Sequence, residues 1–505
     1  MAEHEIELKL GVPADRLPAL RRALARGTVR HERLHAEYFD CEDERLARHR
    51  IALRLRREGR RWIQTAKAST DDAARRLEDN VPVPGSSSRD IPALDLARHA
   101  GTPVGDALQK ALAGPAHDAA TLVARYAIDV RRTTRTVRHA GARIELALDL
   151  GYVTAATGRE QPICELEMEL KAGAEAALYA LAERWLAAHG LWLCPESKAA
   201  RGARLARGEA AAPPVKARAP QFDGEAPTAA SALRAVTRSC LEQIVGNASA
   251  LADGSDDVEH VHQMRVGLRR MRSALREMGD FGGAIDPTWE PTLSQAFGEL
   301  GAHRDRTVVL PRWAAEMARC GAPPLALPAS TLPERDLVSI ARDPRLQRTL
   351  LGLLCFSAAV ANADPAGQPD DAGDARRRFA QRLQDLHEHV VRDAKRFGKL
   401  DGTQQHRVRK RLKRLRYLSE FAASLFSGKT VGRYLAAMSG AQDELGTLND
   451  EHTAADAWRR DAERQPHAWF AVGWLAARQA DAVRRSERAL RLIAKAPRFW
   501  KKAVA

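Results

Sequence analysis

Apolar and charged residues alternate in short runs up to about Ala206, the period-two pattern of β-strands, and recur at helical spacing beyond about Pro227. The chain opens with Glu5-Ile6-Glu7-Leu8-Lys9. Drawn as a strand, Glu5, Glu7 and Lys9 share one face and Ile6 and Leu8 the other. Further alternating runs cover Ile51 to Arg57, Arg60 to Lys67 after a turn at Gly59, Arg143 to Gly151, and Ile163 to Lys171. Between the halves, Gly208 to Pro227 is rich in Ala, Pro and Gly, contains Pro213-Pro214 and has no period, so it reads as a linker. The later half breaks near residues 286, 323, 365 and 400, where Pro and Gly gather, and is otherwise all-helical. The expected organisation is an α+β protein of two domains, 1–207 and 228–498, joined by residues 208–227.

The polar side of these strands is charged. Arg54 and Arg56 oppose Leu53 and Leu55, and Thr65 and Lys67 close the next run. Arg143, Glu145 and Asp149 oppose Ile144, Leu146 and Leu148; Glu165, Glu167, Glu169 and Lys171 oppose Leu166, Met168 and Leu170. A one-sided antiparallel sheet with its charged face in water explains the alternation. A closed barrel holding an acidic patch for a divalent metal and a basic patch for phosphate also explains the mixture of signs. Enclosing such charges is costly unless they are paired or liganded. Patterning alone leaves both readings open.

The helical half contains a repeat. His262-Gln263-Met264-Arg265 is followed by Arg269, Arg270 and Arg272, then Leu300-Gly301 and Asp305. His406-Arg407-Val408-Arg409 is followed by Lys413, Arg414 and Arg416, then Leu445-Gly446 and Asp450. At 100° per residue, the positions 0, +3, +7 and +10 from each histidine form one stripe. Met264, Leu268 and Met271, mirrored by Val408, Leu412 and Leu415, form the opposite, apolar stripe. A solvated basic face is the ordinary account of a charge run. Duplication residue by residue, with no acidic i+4 partners in the stripe, points instead to two basic faces brought around a polyanion. The histidines lack a carboxylate cluster, so phosphate contact suits them better than metal.

Net charge sharpens that picture. Lys and Arg number 80 against 65 Asp and Glu, a formal charge of +15, which predicts an anionic partner. Aromatic residues are sparse and not interleaved with the basic stripes, which makes specific binding of single-stranded nucleic acid the weaker choice. The six cysteines are scattered without a C-x-x-C pair and read as reduced thiols. No run of 18 apolar residues and no signal-peptide core is present, so the expected place is the cytoplasm, with no membrane partner. Gly428-Lys429-Thr430 lacks the upstream glycine of a P-loop, and Gly428 reads as a helix C-cap. His303 reads as structural.

In the first half, Glu5-x-Glu7-x-Lys9, Tyr38-Phe39-Asp40, Arg54-Leu55-Arg56, Thr65-Ala66-Lys67, Ile144-Glu145-x-Ala147-x-Asp149-x-Gly151, Cys164-Glu165-Leu166-Glu167-x-Glu169 and Ser197-Lys198-Ala199 together resemble the CYTH, or triphosphate tunnel metalloenzyme, superfamily. The resemblance implies an eight-stranded antiparallel β tunnel with flanking helices. It implies hydrolysis of inorganic triphosphate, with thiamine triphosphatase or adenylate cyclase activity as alternatives. Lys9, Arg54, Arg56, Lys67 and Lys198 would hold phosphate oxygens, with Arg132 and Arg143 as further contacts. Glu5, Glu7, Glu145, Glu165, Glu167 and Glu169 would carry Mg²⁺ or Mn²⁺. Glu5, Glu7, Lys9, Arg54, Arg56 and Lys67 would form the catalytic set. Arg76 and Glu78 have the spacing of another inward pair, Arg135 departs from the family pattern, and Ser69 to Gly114 matches poorly.

The later half, from about Ala229 to Pro497, resembles the CHAD domain, a conserved-histidine α-helical module with a pseudo-twofold repeat, often fused behind a CYTH domain. That resemblance implies polyphosphate binding, and with it association with polyphosphate granules. His262, Arg265, Arg269, Arg270, Arg272, His406, Arg409, Lys410, Lys413, Arg414 and Arg416 would line the groove. The rival from another class is a polyphosphate-binding scaffold that does not hydrolyse its ligand.

Overall fold

The structure is a computed structural model that describes residues 6–59, 61–69, 76–84, 91–113, 122–222, 224, 226–329, 335–359 and 374–504. The chain divides into two compact units, Met1–Pro213 and Pro214–Ala505.

In the first unit the alternating runs become one antiparallel sheet. Its strands are β1 (Ile6–Gly11), β2 (Arg30–Asp40), β3 (Ile51–Glu58), β4 (Arg61–Ser69), β5 (Arg76–Pro82), β6 (Val123–His139), β7 (Ala142–Ala155), β8 (Glu160–Ala172) and β9 (Trp192–Leu193). The order across the sheet is β5-β4-β3-β2-β6-β7-β8-β1-β9. The expectation of eight strands falls one short, because β9 is a two-residue apolar pair with no alternation to reveal it. It lies beside β1, where a Cβ on Gly11 would stand 2.2 Å from the Trp192 indole. Among the described residues no pairing joins β5 to β9.

The two faces separate as the alternation requires. One face buries Leu10, Leu53, Leu55, Ala66, Ile144, Leu146, Leu148, Leu166 and Met168. Helices α1 (Leu17–Leu24), α2 (Arg45–Arg48), α3 (Pro103–Leu112) and α4 (Glu175–His189) cover the sheet, with Val104 and Leu108 of α3 in one cluster with Leu53 and Ala66. The segment that matched poorly in sequence thus supplies β5 and α3. The opposite, charged face is covered by α5 (Lys198–Ala206), whose Leu205 packs with Ala36, Ile128, Val130, Val153 and Ile163. Ser197 caps α5 by accepting the Ala200 N–H at 3.1 Å, which makes Lys198 the first helical residue.

The second unit is helical. Its helices are α6 (Ala229–Ala252), α7 (Val258–Glu277), α8 (Trp289–Arg304), α9 (Leu310–Arg319), α10 (Leu337–Ala341), α11 (Pro344–Ala358), α12 (Asp374–Ala394), α13 (Gly402–Phe421), α14 (Gly428–Asp461), α15 (Ala468–Lys495) and α16 (Lys501–Val504). Residues before α6 belong to this unit's packing. Val215 donates its N–H to Asn247 Oδ1 at 3.2 Å and accepts from Asn247 Nδ2 at 2.9 Å. Helices α7 and α13 carry the two histidine-arginine motifs and pack against each other. Met264, Leu268 and Met271 are buried, as are Val408, Leu412 and Leu415, so the apolar stripes anchor both helices.

The repeat is imperfect. α14 runs unbroken, whereas its counterpart is α8, a π-helical turn over Asp305–Val309, and α9. Gly428 is not the C-cap expected of it. It opens α14 directly after Ser427, and its φ is not positive, while α13 already ends at Phe421. No disulfide joins the six cysteines, of which Cys41, Cys194 and Cys240 are buried and Cys320 exposed. Among the described residues no helix is long and apolar enough to cross a membrane.

Candidate functional site

Strand register gathers the charged positions of the first unit on the face that α5 covers. Lys9 stands opposite Glu167, Glu7 opposite Glu169, and Glu169 opposite Glu145. One step further, Asp149 faces Glu165 on one side and Arg132 on the other. Across β2, Tyr38 faces Arg54 and Ala36 faces Arg56; Arg54 faces Thr65, and Lys67 faces Glu78. Carboxylates therefore concentrate on β1, β8 and β7, and cations on β3 and β4.

The deepest group is Asp149, Glu165 and Glu167, with ligand oxygens all within 4.8 Å of one another. Asp149 is 0% exposed and Glu165 1%. Lys198 reaches in from the first turn of α5, with its Nζ 2.7 Å from Asp149 Oδ2, 2.8 Å from Glu167 Oε1, and also against Glu165 Oε1. Arg132 donates to Asp149 at 2.7 and 2.6 Å and to Glu167 at 2.5 Å. Arg201 of α5 donates to Glu165 at 3.3 Å. Burial opposes ionisation of Glu167, but Lys198 and Arg132 outweigh it and hold its carboxyl below the usual range. Burial also opposes the Lys198 charge; Glu165, Asp149 and Glu167 reverse that and raise its ammonium.

Of the six carboxylates expected at a metal, Glu165 and Glu167 converge here, joined by Asp149, which is not among the six although it shares their face in the sequence pattern. Glu7, Glu145 and Glu169 form a second, more open row. Lys9 pairs with Glu7 at 3.0 Å, and Lys171 lies 2.6 Å from Glu169 and 3.7 Å from Glu145. Glu5 lies outside the described residues, as does the side chain of Arg76. On the basic side, Arg54 donates to the Tyr38 hydroxyl at 3.1 Å, Arg56 pairs with Glu58, and Lys67 with Glu78 at 2.8 Å. Burial and the neighbouring Arg54 lower the Arg56 pKa. Arg143 is exposed beside a β-bulge. Arg135 donates to the Ala23 carbonyl at 3.1 Å, at the end of α1.

The three deep carboxylates are hard oxygen donors of the kind Mg²⁺ and Mn²⁺ prefer. An ammonium already sits among all three, so the cluster's geometry suits a cation.

In the second unit, a cleft of about 580 Å³ lies between α7 and α13, lined among others by Arg269, Arg272, His406, Arg409, Lys410 and Lys413. Arg265, Arg269 and Arg272 stand over the ring of Phe297, 4.4, 4.9 and 5.6 Å from its centroid. Phe297 was not legible as part of the site, since its only signal is its place four residues before Gly301. Burial, then neighbouring Arg269, pushes Arg265 and Arg409 down to about 10. Burial and the surrounding Arg269, Arg409 and Arg416 push Lys413 down to about 6. Burial lowers His262 and His406; the latter shares a 2.9 Å hydrogen bond with Asn449 Oδ1.

The stripe is not free of acids. Arg272 pairs with Glu290, Arg416 with Glu420 at i+4, and Arg414 with Glu277. At the +3 and +7 positions the opposing charges are Asp305 near Arg265 and Asp450 near Arg409 and Lys413, too little to offset burial and the neighbouring arginines. Arg270 faces away from the cleft, 2% exposed, donating to Gln243 and to the Arg218 carbonyl, each at 3.0 Å. Its +8 offset places it about 80° outside the stripe.

Comparison with known proteins agrees with this division. The CYTH domain profile matches residues 3–203 and the CHAD domain profile residues 235–459. The chain is 30% identical over 201 residues to the inorganic triphosphatase of Haemophilus influenzae; the match covers 39% of this chain and 54% of that protein. It therefore spans about half the length of that relative. The crystal structure of the CHAD domain of Ricinus communis is similar at 27% identity and a TM-score of 0.45, over 57% of this chain and 98% of that one. A Hippeastrum adenylyl cyclase candidate described as revealing a dominant triphosphatase activity is similar at 18% identity and a TM-score of 0.29, over 41% and 97%. The chain thus carries a CYTH domain in its first unit and a CHAD domain in its second.

Proposed function

We propose that the first unit hydrolyses a phosphoanhydride bond of a linear triphosphate with a divalent metal, and that the second unit binds inorganic polyphosphate. The observation that carries the reading is the placing of Asp149, Glu165 and Glu167 on the same covered face as Lys9, Arg54, Arg56 and Lys67. Inorganic triphosphate is the favoured substrate, in keeping with the name of the Haemophilus relative.

Asp149, Glu165 and Glu167 would hold Mg²⁺ or Mn²⁺, with Glu7, Glu145 and Glu169 in reach of a more open position. When bound, such a cation neutralises phosphate oxygens and makes a water more acidic. Lys9, Arg54, Arg56 and Lys67 bind the phosphate chain and stabilise the charge that builds on it in the transition state. The Tyr38 hydroxyl fixes Arg54 in direction. Around Asp149 and Glu165 the sheet and α5 leave little room for bulk water, which strengthens the interactions there. The second unit tethers the enzyme to long polyphosphate and raises the local concentration of chain ends.

Release of orthophosphate from triphosphate tests the first part. It requires Mg²⁺ or Mn²⁺, stops in chelator, and falls at least about 10²-fold in Glu165→Gln and Lys9→Ala. No turnover across inorganic triphosphate, thiamine triphosphate and ATP overturns it. The second part predicts polyphosphate binding that persists in chelator, displaces DNA at matched phosphate concentration, and is lost in Arg265→Ala/Arg409→Ala. Failure to displace DNA would make the basic cleft a nonspecific polyanion surface.

A further inference from the structure

Asp149, Glu165 and Glu167 bring three negative charges into a space from which water is nearly excluded. Buried charges of one sign must be neutralised in place. In this structure the neutralising groups are Arg132, Arg201 and Lys198, so the cluster is balanced by the protein's own cations. A divalent metal entering the same oxygens adds two positive charges to a site already balanced, and is bound weakly unless one resident cation leaves.

The three residents differ in their freedom to leave. Arg132 is a rigid fork with two donors on Asp149 and a third on Glu167, rooted in the middle of β6. Arg201 is itself 5% exposed, in the body of α5, and also approaches Glu196. Lys198 stands in the first turn of α5, where the helix begins, on a flexible four-carbon stem that ends in a point charge. Its ammonium touches all three carboxylates, in the place a shared metal would take. Lys9 lies next to this position, opposite Glu167 in the ladder.

We propose that Lys198 is a displaceable internal counter-cation: it occupies the acidic cluster in the metal-free protein, yields to the divalent metal, and then swings toward the phosphate-binding face beside Lys9. This rests on the metal-dependent reading of the cluster given above. It makes Lys198 a substrate-binding residue whose two places are set by metal occupancy. Metal binding thereby adds a phosphate contact, and an enzyme without metal is held with that contact withdrawn.

The test needs no substrate. Mn²⁺ is titrated into the full chain and free Mn²⁺ is read by electron paramagnetic resonance, for the parent, Lys198→Met and Lys198→Gln. Removing the competing cation is expected to tighten Mn²⁺ about tenfold or more, whereas Glu165→Gln abolishes the same site. In parallel, acetylation of Lys198 in the parent chain, followed by mass spectrometry, is expected to rise several-fold when Mn²⁺ is added. Unchanged or weaker Mn²⁺ binding by folded Lys198 variants, or acetylation at Lys198 indifferent to Mn²⁺, overturns the proposal. Absence of any Mn²⁺ site in the parent overturns it too and makes the cluster a structural ion-pair network. Mn²⁺ exchange as expected without hydrolysis of any triphosphate leaves the counter-cation in place and removes only the hydrolytic reading.

Discussion

Arg132 on β6 holds Asp149 on β7 with both arms of its guanidinium, Nε–H to Oδ1 at 2.7 Å and Nη2–H to Oδ2 at 2.6 Å, and the carboxylate it holds is fully buried. The sequence resemblance suggested Arg132 as a phosphate contact; its first partners in the structure are the carboxylates. Burial works against the charge, and Asp149 and Glu167 more than restore it, keeping the guanidinium above its ordinary pKa.

Arg132→Leu should therefore destabilise the first unit by about 3–5 kcal/mol, because it removes both hydrogen bonds that Arg132 donates to the buried Asp149 carboxylate. Urea denaturation of the parent and variant measures this. The double variant Arg132→Leu/Asp149→Leu should recover much of the loss, since the buried carboxylate that lost those bonds goes with it. A single variant as stable as the parent removes Arg132 from the balance of the cluster.

The alternation of charged and apolar residues made β1, β3, β4, β7 and β8 legible, because each strand keeps one face wet or liganded and the other against helices. It also placed Asp149 on the right face. What it did not carry was depth: Glu145 and Asp149 look alike in the pattern, yet only Asp149 meets Glu165 and Arg132 across the ladder. Depth depends on cross-strand register and on where α5 sits, which are long-range facts. Arg270 shows the same limit in the helices. Its type and repeat position match Arg414, which lines the cleft, yet Arg270 donates to Gln243 of α6 and to the Arg218 carbonyl, partners that the repeat does not reveal.

The position of α5 depends on one glycine. A Cβ on Gly202 would stand 2.1 Å from Cδ2 of Tyr126, and that ring cannot retreat because it is stacked on Tyr38 with centroids 4.6 Å apart. Gly202→Ala should lift α5 from β6 at a cost of about 1–3 kcal/mol. Lys198, one turn earlier, moves with the helix, so triphosphate hydrolysis should fall together with thermal stability. Unchanged melting temperature and rate would mean that the helix has room to shift without disturbing the site.

Gly301 and Gly446 occupy equivalent places in the repeat and have opposite surroundings. A Cβ on Gly301 would approach Arg265 Nη1 to 2.5 Å, while one on Gly446 meets nothing within 4 Å. Gly446→Ala should stabilise α14 by roughly 0.5–1 kcal/mol through helix propensity, with polyphosphate affinity unchanged. Gly301→Ala should displace the Arg265 guanidinium from its 2.9 Å bond to the Phe297 carbonyl and weaken polyphosphate binding several-fold. Titration calorimetry on the two variants separates the effects, and equal affinities would detach Arg265 from the polyphosphate contact.

Lys413 should make the proposed polyphosphate binding depend on pH. It faces Arg269 from α7 and Arg409 and Arg416 on its own helix, with Asp450 of α14 as the opposing charge; burial and those arginines lower its amine from 10.5 to about 6. Near pH 7.5 the ligand-free amine is mostly neutral. A polyanion in the cleft favours the charged form, so binding takes up a proton and affinity rises as the pH is lowered from 8 toward 6, levelling below it. The sign for folding is opposite. Between pH 6 and 10.5 the unfolded chain binds a proton that the folded chain declines, so this group makes the ligand-free second unit more stable as pH rises through that window. Calorimetry at pH 7.5 in buffers of different ionisation enthalpy counts the proton directly. Lys413→Met should abolish most of the uptake and flatten the pH profile, leaving the smaller contribution of His262 and His406, whose pKa values burial also lowers. Proton release on binding, or a profile that Lys413→Met leaves intact, would mean that Lys413 is already charged in the empty cleft.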